Sequence, residues 1–242
     1  MLIASLTDKG LVRETNQDSF AAGELSGGVA WLVVCDGMGG ANGGNIASAM
    51  TVKSISESIG ASFRDGMNSN SIRDLLISAA SAANVSVYDA ARSVEALHGM
   101  GTTLVAAIIA SGTAHIIHAG DSRAYIFDDG RLSQITRDHS VVQIMKETGR
   151  LTPEEAKEYP GRNVITRALG VERTTEVEYN EVELSEHGMV FVCTDVLVNF
   201  VDDSVIEKTL LENAVADCPR ILIDLANKNG GADNITVVIA AR

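Results

Sequence analysis

Apolar residues follow two rhythms along this chain. Short, near-continuous runs at 29–35 and 102–110 have the length of buried strands, and further strands are predicted at 19–22, 114–119, 123–127, 131–135, 176–184, 189–194 and 235–240. Elsewhere the spacing is helical. Ile46, Met50, Ile55 and Ile59 predict a helix over 45–59. A longer helix is predicted from Ser71, with Asp74 three residues on as a capping pattern. Its apolar face reads Ile72, Leu75, Leu76, Ala79, Ala80, Ala83 and Val87, and the small alanines predict close packing against another helix. Residues 141–170 read as a helix, a polar insert with Pro153 and Pro160, and a short helix over 164–169. Two more helices are predicted at 204–213 and 219–229.

Turn residues complete the pattern. Ser111-Gly112, Gly120-Asp121-Ser122 and Asp128-Asp129-Gly130 separate successive strands, which predicts an antiparallel meander over 102–135. Strands and helices come in blocks, without repeats or linkers. The expected fold class is α+β: a four-layer α-β-β-α sandwich, two antiparallel sheets flanked by helix pairs, formed by a single domain over 1–242.

Composition narrows the function classes. A chain of 242 residues that is 45% hydrophobic can bury a substantial core, and a net charge of −13 argues against a nucleic-acid-binding surface. The three cysteines, Cys35, Cys193 and Cys218, lack paired spacing, so neither a disulfide framework nor a zinc site is expected. The N-terminus lacks a basic start followed by a long apolar run, and no apolar stretch reaches the ~20 residues of a membrane helix. A soluble, cytoplasmic protein is expected.

The acids supply the candidate chemistry. Asp36 ends the run Val33-Val34-Cys35 and precedes a glycine-rich loop. A carboxylate ending a buried strand is costly unless something pairs with it, and a divalent cation is the obvious partner in so acidic a chain. The neighbouring glycines let a backbone carbonyl turn toward the same ion. Asp18, Asp121, Asp195 and Asp233 also stand at strand ends or tight turns. If those edges lie side by side the carboxylates converge, and oxygen-only ligands favour Mg²⁺ or Mn²⁺. Two such ions bridged by one acid, roughly 3.5–4 Å apart, make a hydrolytic centre for a phosphate ester. Singly, Asp18 and Asp121 read equally well as turn formers, and Arg13 as a surface charge. The run from Gly39 to Gly44 lacks the Gly-Lys-Ser/Thr of a nucleotide loop. His115 and His118 read as structural, His139 as holding its loop by hydrogen bonds, and Cys35, Cys193 and Trp31 as core.

Several motifs occur in order: Arg13-Glu14-Thr15-Asn16-Gln17-Asp18, Asp36-Gly37-Met38-Gly39-Gly40, Gly101-Thr102-Thr103, Gly120-Asp121-Ser122-Arg123-Ala124-Tyr125, Asp138-His139-Ser140, the stretch from Asn163 to Gly170, and Gly231-Ala232-Asp233-Asn234-Ile235-Thr236. Together they resemble the bacterial branch of the metal-dependent type 2C (PPM) serine/threonine protein phosphatases, over nearly the whole chain. The resemblance implies a dinuclear Mn²⁺ or Mg²⁺ site at one end of the sandwich. Asp36 would bridge both metals with the Gly37 carbonyl on one of them, and Asp195 and Asp233 would complete the first. Asp18 would serve the second, directly or through water, and Asp121 a third, weaker one. Arg13 would bind the phosphate, where a planar guanidinium suits its oxygens, and Asn234 would orient its neighbours or water. An insert over 144–168 would form a flap that helps select substrates.

The implied reaction is hydrolysis of phosphoserine and phosphothreonine by direct attack of a metal-bridging hydroxide, with no phospho-enzyme. Implied partners are phosphoprotein substrates and a bacterial Ser/Thr kinase whose work the enzyme opposes; a monomer is expected. Relatives carry a histidine where this chain has Met38 or Ala41, so metal-held water is the expected proton donor. Asn45 replaces a family glutamate, and Val196 replaces a family glycine after Asp195. If that turn needs positive φ, a β-branched residue displaces Asp195. The alternative reading is then a weakly active or inactive phosphatase-like binding module.

Overall fold

Strand periodicity divides the apolar runs between separate cores. In β3 (Val29–Met38) the residues Val29, Val33 and Cys35 enter one buried cluster, and Ala30, Leu32 and Val34 enter another on the opposite face. The strand β5 (Leu104–Ala110) divides in the same way, which is why both runs are apolar at every position. The computed structural model describes residues 1–242, apart from the side chains of residues 41 and 42.

The remaining strands, in chain order, are β1 (Leu2–Asp8), β2 (Asp18–Leu25), β4 (Gly101–Thr102), β6 (Thr113–Ala119), β7 (Arg123–Asp128), β8 (Arg131–Gln134), β9 (Glu178–Glu183), β10 (Met189–Cys193) and β11 (Ile235–Ala241). One antiparallel sheet has the order β1-β11-β10-β7-β8, and the other β2-β3-β5-β6-β9 with β4 paired to β3. Long helices α1 (Gly40–Ser62) and α2 (Ser69–Ser93) cover the second sheet through Val52, Ile55, Ile72 and Leu76. The short α3 (Val141–Glu147) and α4 (Pro153–Glu158) lie in the insert. Helices α5 (Asp195–Phe200), α6 (Asp203–Glu212) and α7 (Cys218–Lys228) cover the first sheet through Leu197, Ile206 and Leu222. Leu32, Val105, Val192 and Val238 fill the space between the sheets, giving the four layers α-β-β-α. No helix of the described residues is long and apolar enough to cross a membrane.

Several expectations need correction. The strands over 102–135 are not one meander: β5–β6 belong to one sheet and β7–β8 to the other, so Gly120-Asp121-Ser122 carries the chain between layers. Residues 164–169 are not helical. Their backbone pairs outward instead, with the Leu169 N–H donating to Thr102 O (2.9 Å), the Thr166 N–H to His139 O (2.8 Å) and the Val141 N–H to Val164 O (2.9 Å). Asn68, rather than Ser71, caps α2, its side chain accepting from the Ser71 N–H at 2.9 Å. The run over 102–110 breaks at Thr103, and β1 and α5 are elements that periodicity did not indicate.

Candidate active site

The ladder between β2 and β3 sets Asp18 directly opposite Asp36. β3 does not stop at that acid. It runs on through Gly37 and Met38, which pair with Thr102 and Gly101 of β4. The Asp36 backbone is held from the neighbouring strand break: its N–H donates to Thr103 Oγ1 (2.9 Å), and its carbonyl accepts from Thr102 Oγ1 (2.8 Å) and the Thr103 N–H (2.9 Å). Only glycine fits at 37, because a Cβ there would lie 2.1 Å from the Gly44 carbonyl oxygen and 2.6 Å from that of Gln17. β10 ends beside β11, so Asp195 in the first turn of α5 and Asp233 just before β11 come to the same end of the sandwich. The crossover between sheets delivers Asp121 there. Arg13, Asp36, Gly37, Asp121, Asp195, Asp233 and Asn234 all line one cavity of about 660 Å³.

Asp18 lies beneath this cavity, only 8% exposed. Its Oδ2 accepts from Thr236 Oγ1 (2.6 Å) and Thr194 Oγ1 (3.0 Å), while its buried Oδ1 has no partner among the described residues. The Thr236 hydroxyl is committed to Asp18, so Thr7 Oγ1 donates to it at 2.8 Å and accepts from Asn16 Nδ2 at 2.9 Å. Asn234 ties down the loop that carries Arg13. Its Nδ2 donates to the carbonyls of Lys9 and Thr15 (3.0 Å each), and its Oδ1 accepts from the Gln17 N–H at 2.7 Å.

The acids disfavour one another's charge. Burial, then repulsion from Asp18, Asp195, Asp121 and Asp233, holds the Asp36 carboxyl well above the usual range. Burial, with Asp195 and Asp233 adding repulsion, lifts Asp18 to about 7 despite its two threonine hydrogen bonds. Burial and Asp195 lift Asp121 to about 8, and burial and Asp233 lift Asp195 to about 6. The cation facing this cluster from the cavity rim is Arg13, whose Nη2 lies 2.5 Å from Asp233 Oδ2. A buried carboxylate oxygen without a donor, in a set of mutually repelling acids beside a glycine-lined backbone, fits hard divalent cations bound through oxygen.

The family model described as Protein phosphatase 2C matches residues 12–217, most of the chain. The chain belongs to the protein phosphatase 2C family. Serine/threonine phosphatase stp of Listeria welshimeri is 35% identical over 240 residues, covering 98% of this chain and 94% of that protein. The S. agalactiae serine/threonine phosphatase structure superposes with a TM-score of 0.91 at 36% identity, covering 98% of each chain. The catalytic domain of the serine/threonine protein phosphatase PstP, solved in complex with 2 manganese ions, superposes with a TM-score of 0.86 at 34% identity, over 99% of this chain and 97% of that one.

For this phosphatase 2C chain, Val196 proves compatible with the site. The only non-glycine residues with positive φ among those described are Ser111 and Asp129. Val196 instead takes helical geometry in α5 and buries its side chain with Leu197, Leu222 and Val237. Asp195 keeps its place, its Oδ2 accepting from Asn199 Nδ2 at 3.0 Å. Met38 lines the cavity and Asn45 is exposed, whereas the side chain of Ala41 lies outside the described residues. The cavity wall carries no histidine among the described residues. Sequence reasoning missed the supporting hydroxyls of Thr103, Thr194 and Thr236. Their signal was adjacency, since Thr194 immediately precedes a site acid and Thr236 lies three residues after another.

Proposed function

We propose that the chain is a Mn²⁺- or Mg²⁺-dependent phosphatase that hydrolyses phosphoserine and phosphothreonine in proteins. The observation that carries this reading is the buried, unpartnered Oδ1 of Asp18, a residue set opposite Asp36 in the β2–β3 ladder, in a chain of the protein phosphatase 2C family. The PstP catalytic domain was solved with 2 manganese ions on the same fold, which supports two ions for this site.

In this reading Asp36 would hold both ions, one together with the Gly37 carbonyl, Asp195 and Asp233, and the other together with Asp18. Asp121 would hold a third, weaker ion. When bound, the cations supply an activated water and neutralise charge on the phosphoryl oxygens. The protein's own part is placement. Thr194 and Thr236 occupy one oxygen of Asp18 and so present the other. Asn234 fixes the loop that carries Arg13, and the Arg13 fork exchanges Asp233 for phosphate oxygens. Met38 and Ile165 give the cavity an apolar border. The segment 144–168 acts as a substrate-selecting flap on a single catalytic domain spanning 1–242. A bacterial Ser/Thr kinase is the opposing partner, in the cytoplasm, and the enzyme works as a monomer. A crippled binding module is not favoured, because Val196 lies within α5 without the positive φ that would call for glycine.

The test is hydrolysis of p-nitrophenyl phosphate and of a phosphothreonine peptide by the purified chain. Turnover of both with Mn²⁺ and loss of turnover in chelator are expected; undiminished turnover in chelator would falsify the reading.

A further inference from the structure

The crossover that delivers Asp121 is built on a residue with no stiffness of its own. Gly120 has φ +108, and a Cβ there would lie 2.6 Å from Thr103 Cγ2, so only glycine fits. Something else must fix its peptide. His139, 3% exposed, grips it twice. The His139 N–H donates to Gly120 O at 2.9 Å, and its ring Nδ1 lies 3.2 Å from the Gly120 N–H.

The second contact decides the tautomer. A ring nitrogen that accepts an N–H carries no proton, so the proton of a neutral imidazole sits on Nε2. That atom lies 3.0 Å from Glu178 Oε1, and Arg167 Nη1 lies 3.1 Å from the same oxygen. The imidazole and the guanidinium therefore both donate to one carboxylate, and their 3.3 Å separation is that of two donors sharing an acceptor. Burial holds His139 below its ordinary pKa, which keeps the ring neutral. His118 stacks on it with ring centroids 4.5 Å apart, its own Nε2 donating to Arg137 O at 2.9 Å.

His118, His139 and Glu178 bring ligand-type atoms within 4.8 Å of one another, the composition of a small metal site. The hydrogen bonds argue otherwise. Both Nε2 atoms carry protons, and Arg167 already supplies the positive charge that the carboxylate needs.

We propose that His139 is a positioning residue: fixed as the Nε2–H tautomer by Glu178, it holds the Gly120 peptide and so keeps Asp121 directed into the cavity. Its effect on metal binding rests on the assignment of Asp121 to the weakest metal site in the functional reading above.

Two measurements test it. Nitrogen-15 imidazole spectra of the whole chain report the tautomer without any turnover. The wild type should show His139 protonated at Nε2, and Glu178→Ala should release population to the Nδ1–H form. Calorimetric Mn²⁺ titration should show the weakest site loosened about 10–100-fold in His139→Leu, the usual cost of removing a group that orients a ligand, with the tighter sites unchanged. His139→Asn, whose Oδ1 replaces Nδ1 as acceptor, should restore most of that affinity. Should His139→Leu fail to fold, Glu178→Ala carries the titration, since its side chain is 36% exposed. An Nδ1–H tautomer in the wild type overturns the proposal. So does unaltered Mn²⁺ binding in the folded Leu and Ala variants, or an Asn variant as weak as the Leu variant, which assigns His139 to packing. A wild type that binds Mn²⁺ but hydrolyses no phosphopeptide sinks the functional reading instead, and leaves the tautomer result to judge His139.

Discussion

Asp18, beneath the cavity, and Arg13, on its rim, are anchored in different ways. Asp18 is 8% exposed and takes two hydroxyl hydrogen bonds from threonines that are themselves fully buried. Arg13 has a side chain 56% exposed, and its ion-pair partner Asp233 is 39% exposed. A second cavity, which shares Asp121 and Asp195 with the first, extends the rim along the short helices α3 and α4 and the surface pair Lys157–Asp202 at 3.7 Å, with both side chains more than three-quarters exposed. Exposed pairs of that kind contribute about 0–1 kcal/mol each. A buried carboxylate short of a donor costs about 1–3 kcal/mol or more. The floor therefore holds one geometry, as ligand placement requires, and the rim can adapt to different phosphoprotein surfaces.

Mutation should separate the two regions. Asp36→Asn removes a carboxylate from the floor and should lower kcat with p-nitrophenyl phosphate by about 10³-fold, at the upper end for the loss of one electrostatic group. Circular dichroism should show the fold intact. Thr236→Val keeps the shape but withdraws the 2.6 Å hydrogen bond to Asp18. The Mn²⁺ concentration for half-maximal activity should rise about 10–100-fold, with kcat at saturating metal largely recovered. On the rim, Arg13→Ala should lower kcat/KM about tenfold, the worth of one charge-assisted hydrogen bond to phosphate. Its denaturation midpoint should stay near the wild-type value, because the Arg13–Asp233 pair is exposed. Equal losses from Thr236→Val and Arg13→Ala in Mn²⁺ requirement would erase the distinction between floor and rim.

The floor also predicts how stability responds to pH. Asp18, Asp121 and Asp195 are raised to about 7, 8 and 6, above the usual value near 3.8. The folded chain thus retains protons that the unfolded chain has already lost between about pH 4 and 8. Stability in chelator is greatest below that window and falls as pH rises through it, by roughly 1 kcal/mol per pH unit for each retained proton. Cations compete with those protons, so Mn²⁺ should flatten or reverse the slope. Melting temperatures at pH 5.5 and 8, in chelator and in Mn²⁺, test the sign. A chelated protein that melts higher at pH 8 would contradict the crowding of acids described above.

The same division explains what the sequence revealed. The acids were legible because each ends an apolar run or occupies a tight turn, and Asp36 after Val-Val-Cys is costly without a partner. The layers were legible because the runs over 29–35 and 102–110 are too apolar for a one-sided sheet. The course of the chain at Gly120-Asp121-Ser122 was not, since a glycine–aspartate turn has the same local chemistry whether the next strand pairs back or joins another sheet. Residues 164–169 misled for a related reason: helical spacing of Val164, Ala168 and Leu169 was overridden by pairing with Ser140 and Thr102, which are distant in sequence. β1 was missed because Leu2–Asp8 interleaves apolar and polar residues too briefly to stand out at a terminus.

Val196 yields the smallest expected change in activity and the sharpest contrast with stability. A glycine at this position would be needed only if the backbone adopted positive φ, and it does not. The side chain is 6% exposed and belongs to the core cluster of Leu197, Leu222 and Val237, whereas Asp195 lines the cavity and Val196 does not. Val196→Gly should therefore leave kcat/KM of the folded protein at its wild-type value. It should cost about 2–4 kcal/mol of stability, from the vacated apolar volume and the added backbone freedom in the helix. Denaturant titration paired with activity per folded molecule measures both. A gain in turnover on introducing glycine would mean that the valine distorts Asp195, and that the floor is less settled than its hydrogen bonds indicate.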